Sequence, residues 1–202
     1  MLESSGIELI SSLKYDSDMA RPRNFSREGV LEKALPVFWK HGFADASLQE
    51  REKATGVNKS GLYSEFSGKE DLFLESLRLY LDRMPQLSLL MAEPLGWDNI
   101  EQFLKLGPRT TEGQKGCFAV SSMRELAILP PAAIEILGQG RLQLKQLIAR
   151  NIEAEKRKAD VDDLAGVVLT FFTGLSVEQN LKPSRAATLR KVDNLMRVLR
   201  SL

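Results

Sequence analysis

Ser47-Leu48-Gln49-Glu50-Arg51-Glu52-Lys53-Ala54-Thr55-Gly56-Val57-Asn58-Lys59-Ser60-Gly61-Leu62-Tyr63-Ser64-Glu65-Phe66 is the stretch on which the fold turns. It reads as two short helices and a turn. Ser47 opens the first helix, and Glu50 three residues on makes a capping box, each side chain bonding the other residue's backbone N–H. Gly56 supplies the positive φ that the turn needs. The second helix fits Lys59 to Phe66. Leu48, Ala54, Leu62 and Phe66 are the expected small core, with Val57 plugging the space between the helices. Two helices so joined form a helix-turn-helix. The second would project Lys59, Ser60, Gly61, Tyr63 and Ser64 outward, where a major groove would lie. Its free N–H groups would favour phosphate.

Outward from this stretch, the chain stays helical. Val30, Leu31, Ala34, Leu35, Phe38 and Trp39 recur at helical spacing over Ser26–His41, with Ser26 as N-cap and Gly42 as terminator. Pro36 inside this helix removes the bond to the Glu32 carbonyl and should bend it. An amphipathic helix carries Leu72, Phe73, Leu77, Tyr80 and Leu81. A loop is expected over Pro85–Trp97, then helices over Trp97–Leu106, Phe118–Leu129, Ala132–Arg157, Val161–Glu178 and Ser184–Leu202. No period-2 strand, repeat or low-complexity tract interrupts them. The expected fold class is all-α. A three-helix DNA-binding domain over residues 21–68 precedes a helical ligand-binding and dimerisation domain over 69–202. Residues 1–20 read as an N-terminal extension, either loosely attached or an extra helix.

Composition bounds the function. With 43% hydrophobic and 27% charged residues, the 202-residue chain has an ordinary globular make-up. One cysteine excludes an internal disulfide and fits a reducing cytoplasm. No apolar run is long enough to span a bilayer, and no secretory signal is visible. The expected setting is therefore cytoplasmic, without membrane contact. Net charge is only +1, so bulk charge does not announce nucleic acid, and the case rests on individual positions.

The run Ala54-Thr55-Gly56-Val57-Asn58-Lys59-Ser60-Gly61-Leu62-Tyr63-Ser64-Glu65-Phe66-Ser67-Gly68-Lys69-Glu70-Asp71-Leu72-Phe73 resembles the signature of the TetR/AcrR regulators, as does Phe38-Trp39 before Gly42-Phe43. The resemblance covers Arg21 to about Leu81. Beyond it, Gly116-Cys117-Phe118 resembles one subgroup's C-terminal domain. The resemblance implies a ligand-responsive transcriptional regulator, a homodimer on a double-stranded operator, acting as a repressor released by a small-molecule effector. It places Ser47 against a phosphate, Asn58, Lys59, Ser60, Gly61, Tyr63 and Ser64 in or beside the groove, and Lys69 against the DNA backbone. Arg21 and Arg23 form a basic arm suited to a minor groove.

Arg51 and Glu52 depart from the family pattern, which has an aliphatic residue and Ala there. A buried Arg51 would need solvent or a carboxylate. Together with Pro36, they motivate an alternative: a helical dimer that binds a small molecule or protein and has lost DNA binding. No catalytic constellation, cofactor motif or metal-ligand set is expected, since the lone Cys117 and His41 fall in different domains. Phe103, Cys117, Phe118, Met123, Leu126, Phe171 and Phe172 are candidate ligand-pocket residues, with plain core packing as the competing reading. For Cys117, a sensor thiol and a small buried hydrophobe both stay open. Val161–Glu178 is apolar on more than one side, which calls for a second subunit. Leu189, Val192, Leu195, Met196 and Leu199 offer a matching stripe.

Overall fold

A computed structural model describes residues 25–107, 114, 116–156 and 159–202. The expected extension and the Arg21/Arg23 arm lie outside the described residues. Ten α-helices follow in order among those described: α1 (Arg27–Asp45), α2 (Leu48–Thr55), α3 (Lys59–Glu65), α4 (Lys69–Asp82), α5 (Leu87–Met91), α6 (Trp97–Leu106), α7 (Phe118–Ser122), α8 (Pro131–Ala154), α9 (Val161–Glu178) and α10 (Arg185–Ser201). Helices α1–α3 form one unit. Helix α4 packs both on α1 and on α8, α8 pairs with α9, α10 lies on α6, and α7 is wedged among α1, α4 and α9. No helix among the described residues is long and apolar enough to cross a membrane.

Each boundary has a local cause. Ser26, Ser47, Asn58, Asp160 and Ser184 cap α1, α2, α3, α9 and α10, each side chain accepting a first-turn backbone N–H. Gly56 takes φ 73°, ψ 12° to close α2. Pro131 opens α8, where its missing N–H costs nothing.

Three expectations change. Pro36 keeps helical dihedrals, because its fixed φ is compatible with a helix, and the non-helical residue within α1 is Gly42 at φ 78°, ψ −179°. Within Pro85–Trp97, α5 forms because Leu90, 1% exposed, can be buried against α6 and α8. The helix expected over Phe118–Leu129 ends early. It tightens into a 3-10 turn at Met123–Glu125, and the Glu125 carbonyl accepts from Ile128 and Leu129 in a turn before Pro130.

Asn151 locks three helices. It is fully buried on α8; its Oδ1 accepts from Gly96 N at 3.0 Å and Asn99 Nδ2 at 3.0 Å, and its Nδ2 donates to the Leu90 carbonyl at 2.8 Å and the Leu147 carbonyl at 2.9 Å. Nearby, the Glu155 carboxylate accepts from Trp97 N at the start of α6. Removing the amide strands several buried polar groups, each costing about 1–3 kcal/mol. Asn151→Ala is therefore expected to lower unfolding free energy by about 2–4 kcal/mol, read as a shift of the urea midpoint at unchanged slope.

Candidate nucleic-acid interface and ligand cavity

The helix-turn-helix is held by its own polar residues. Ser47 and Glu50 form the capping box, and His41 Nε2 lies 3.1 Å from Glu50 Oε1, tying α1 to α2. Thr55, not Ala54, faces inward: Thr55 is 4% exposed, bonds the Arg51 carbonyl at 2.7 Å and accepts from Val57 N at 3.2 Å, while Ala54 is exposed. Val57, Leu62 and Phe66 complete the small core, with Leu48 half-buried.

The two unexpected charges acquire roles. Arg51 is 4% exposed, and its Nε donates to the Ser47 carbonyl at 3.2 Å rather than reaching solvent or, among the described residues, a carboxylate. The Glu52 carboxylate accepts from Lys59 N, and Asn58 Oδ1 accepts from Gly61 N at 2.9 Å. These first-turn N–H groups of α3 are thus already occupied, contrary to the expectation that they stand free for phosphate. Gly61 also turns inward, since a Cβ there would strike Val57 and lie 3.1 Å from the Phe25 ring.

What α3 does turn outward is Lys59, Ser60, Tyr63 and Ser64, all exposed, with the Lys59 ammonium 5.9 Å from the Tyr63 ring centre. Ser47 and Asn58 are exposed at the adjoining helix starts. Lys69 is engaged within the chain: its Nζ donates to the Ala44 carbonyl at 2.7 Å, and burial, then the neighbouring Arg51, pushes its pKa down.

A second site lies among α4, α7, α8 and α9. Leu81, Met84, Cys117, Val120, Met123, Leu144, Leu169 and Phe172 line a cavity of about 40 Å³, with Arg141, Gln143 and Thr173 also on its wall. That volume admits about one or two waters, against roughly 300–1,000 Å³ for a site holding a drug-sized ligand. Of the candidate pocket residues, Cys117, Met123 and Phe172 are brought together here. Phe103 packs behind, 4.9 Å from the Phe172 ring. Phe118 joins Trp39, Phe73 and Tyr80 in an aromatic cluster instead. Phe171 is half-buried away from the cavity, and Leu126 is 43% exposed on the turn after Glu125. The α8 side of the wall, Leu137 to Leu144, was missed, because nothing in a helix's own pattern says which neighbour it faces.

These two sites can be set beside known proteins. The family described as bacterial regulatory proteins, tetR family, matches residues 30–76. The HTH-type transcriptional repressor ComR of Escherichia coli (strain K12) is 44% identical over 63 residues, 31% of this chain and 30% of ComR. An uncharacterized HTH-type transcriptional regulator of Bacillus subtilis (strain 168), YezE, is 29% identical over 112 residues, 53% of this chain and 58% of YezE. The chain therefore matches less than two thirds of these curated relatives' length. Along nearly the whole chain it resembles the TetR family transcriptional regulator CifR, solved as a cysteine mutant with 26bp double-strand operator DNA. That match has TM-score 0.77 and 28% identity, covering 88% of this chain and 98% of CifR. Residues 30–76 thus match the TetR family's DNA-binding region, and the chain as a whole has the fold of TetR-family regulators. Its fold is also that of the reduced form of E. coli NemR, at TM-score 0.71 and 20% identity over 83% of this chain and 95% of NemR.

In this chain the thiol of Cys117 is sealed. Burial pushes its pKa up. The bond that Tyr80 Oη donates to Sγ at 3.2 Å, and the backbone groups of Val120 and Ala119, oppose that shift without cancelling it. Tyr80 is pushed up as well, first by burial and then by the thiol. The thiolate is the nucleophile, so alkylation of the native protein at pH 8 should be slower by orders of magnitude than in urea. A folded pKa above the ordinary 9.0 also makes this stabilising contribution full below pH 9 and lost as pH rises beyond it, because the unfolded thiol ionises first. Cys117→Ala should remove that part of the alkaline destabilisation, measured by urea unfolding from pH 7 to 10.

Proposed function

We propose that the chain is a ligand-responsive, DNA-binding transcriptional repressor that works as a homodimer and is released from a double-stranded operator by a small-molecule effector. The observation that carries this reading is the exposed Lys59–Ser60–Tyr63–Ser64 face of a short helix fixed by polar caps at its start. Its supports are the family and the likeness to a chain bound to operator DNA. Residues 21–68 serve DNA binding, with Ser47 and Asn58 beside the recognition face and Arg21 and Arg23 ahead of it. Residues 69–202 serve sensing and pairing. The departures that suggested lost DNA binding have structural roles: Arg51 and Glu52 hold the turn, and Pro36 sits in regular helix.

Pairing is assigned to α9. No charged residue occurs from Leu164 to Val177, and Val167, Thr170, Gly174 and Val177 face solvent, followed by Leu181 at 82% exposure. A helix of this composition is better buried on both sides. The α10 stripe contributes less than its sequence suggested, because Val192, Met196 and Leu199 are already covered within the chain, where α10 lies on α6. A dimer would set two α3 helices about one DNA turn apart, roughly 34–36 Å.

The effector site is the cavity at Cys117, Met123 and Phe172. An apolar molecule larger than a few waters must part its walls, and that expansion would be the signal. Two measurements check the proposal on DNA selected from random sequence by the protein. Lys59→Ala should weaken binding and reduce the salt slope by about 0.9, one phosphate's worth, with Tyr63→Ala also weaker. Unchanged affinity in both variants would refute the placement of the recognition helix. Sedimentation should give twice the chain mass, and Val167→Arg combined with Val177→Arg should give monomers that bind DNA poorly; a monomeric parent would refute the dimer.

A further inference from the structure

The end of α1 is gripped from the other part of the molecule. After Gly42 leaves helical geometry, Phe43 N–H donates to Glu125 Oε2 at 2.6 Å and Ala44 N–H donates to Glu125 Oε1 at 2.9 Å. Each carboxylate oxygen takes one N–H, in the manner of an anion in a backbone nest. Gly42 is required twice over: its φ is 78°, and a Cβ would collide with the Glu125 carboxylate. On its other side this short segment is held by Lys69, whose Nζ takes the Ala44 carbonyl and lies 5.1 Å from the Phe43 ring centre. Three residues beyond Ala44, Ser47 caps α2. The joint between α1 and the helix-turn-helix is therefore clamped between Glu125 and α4.

Glu125 ends the same short unit that walls the cavity. Cys117, Ala119, Val120 and Met123 line it, and Met123 is two residues from Glu125. With only about 40 Å³ available, a guest cannot enter without displacing a wall. Displacing α7 pulls the carboxylate away from a geometry that depends on two hydrogen bonds, at 2.6 and 2.9 Å.

We propose that Glu125 is the positioning residue through which the cavity sets the α1–α2 joint: its carboxylate holds Phe43 and Ala44 in the DNA-competent arrangement while the cavity is closed, and lets go when α7 moves. This rests on the repressor reading above. Glu125 touches neither guest nor DNA, and it acts through the two backbone amides.

The test uses the full-length dimer and Ala119→Leu, which adds three carbons to the cavity wall and stands in for a guest. Ala119→Leu alone should weaken operator binding, within the roughly 5–150-fold range of such couplings. Glu125→Gln, which keeps the volume and removes the charge, and Glu125→Ala should each weaken it about tenfold or more. Ala119→Leu added to Glu125→Ala should cost little more, since both break the same link. Hydrogen exchange gives a readout that general destabilisation would not: the Phe43 and Ala44 amides should lose protection in the Glu125 variants and in Ala119→Leu, with the Val37–Phe38 amides and α8 unchanged. Fully additive losses, or unchanged exchange at Phe43 and Ala44, would overturn the role of Glu125 and leave the repressor reading standing. A parent that selects no DNA would overturn the repressor reading, and the proposal with it; an Ala119→Leu protein that binds DNA undiminished would overturn the link from cavity to joint and leave DNA binding standing.

Discussion

Phe118 is the contact on which the molecule is organised. Its ring centre lies 6.0 Å from Trp39, 5.9 Å from Phe73 and 5.6 Å from Tyr80, so α1, α4 and α7 meet around one side chain. Phe73 carries the cluster on to Phe38 and Phe43. Aromatic pairs add about 0.5–1.5 kcal/mol each beyond the area they bury, but the geometric consequence matters more. The helices on which α2 and α3 are seated and the helix that walls the cavity share one core. A close-packed core passes a displacement of one wall to the side chains in direct contact with it.

That shared core explains the division of polar work around it. Buried polar groups need partners, and here the partners join elements. Asn151 fastens α8 to the start of α6 and the end of α5. Tyr80 on α4 spends its hydroxyl on Cys117 at the start of α7. Glu125 spends its carboxylate on the end of α1. Exposed ion pairs such as Arg83 with Glu28 and Glu32 also join α1 to the end of α4, but solvent-screened pairs of this kind add little stability. The cavity beside Cys117 keeps few polar groups, and burial pushes the pKa of the thiol up.

At the start of α3, side chains occupy the backbone donors. Glu52 and Asn58 occupy two of the N–H groups at the start of α3. The groups that α3 leaves exposed are then the Lys59 ammonium and the hydroxyls of Ser60, Tyr63 and Ser64. The net charge of the chain is only +1, so bulk charge by itself draws no polyanion to it.

The sequence by itself determined most of the helices, the Ser26 and Ser47 caps, the Gly56 turn and, Gly61 apart, the outward set of Lys59, Ser60, Tyr63 and Ser64. Each depends on contacts within four residues or on a 3.6-residue period, and such information is local. The all-α class followed from the same patterns. Only the tertiary structure decided which apolar residues meet. Phe103, Phe118 and Phe171 looked equal to Phe172 in sequence, yet Phe172 alone of the four lines the cavity, because helix packing angles and not composition select the neighbour. Arg51 and Glu52 looked like defects because their partners, a carbonyl and an amide N–H, are backbone atoms that have no letter in a sequence. Glu125 was invisible for the same reason: its partners lie 82 and 81 residues away and are peptide N–H groups freed only where Gly42 breaks the helix.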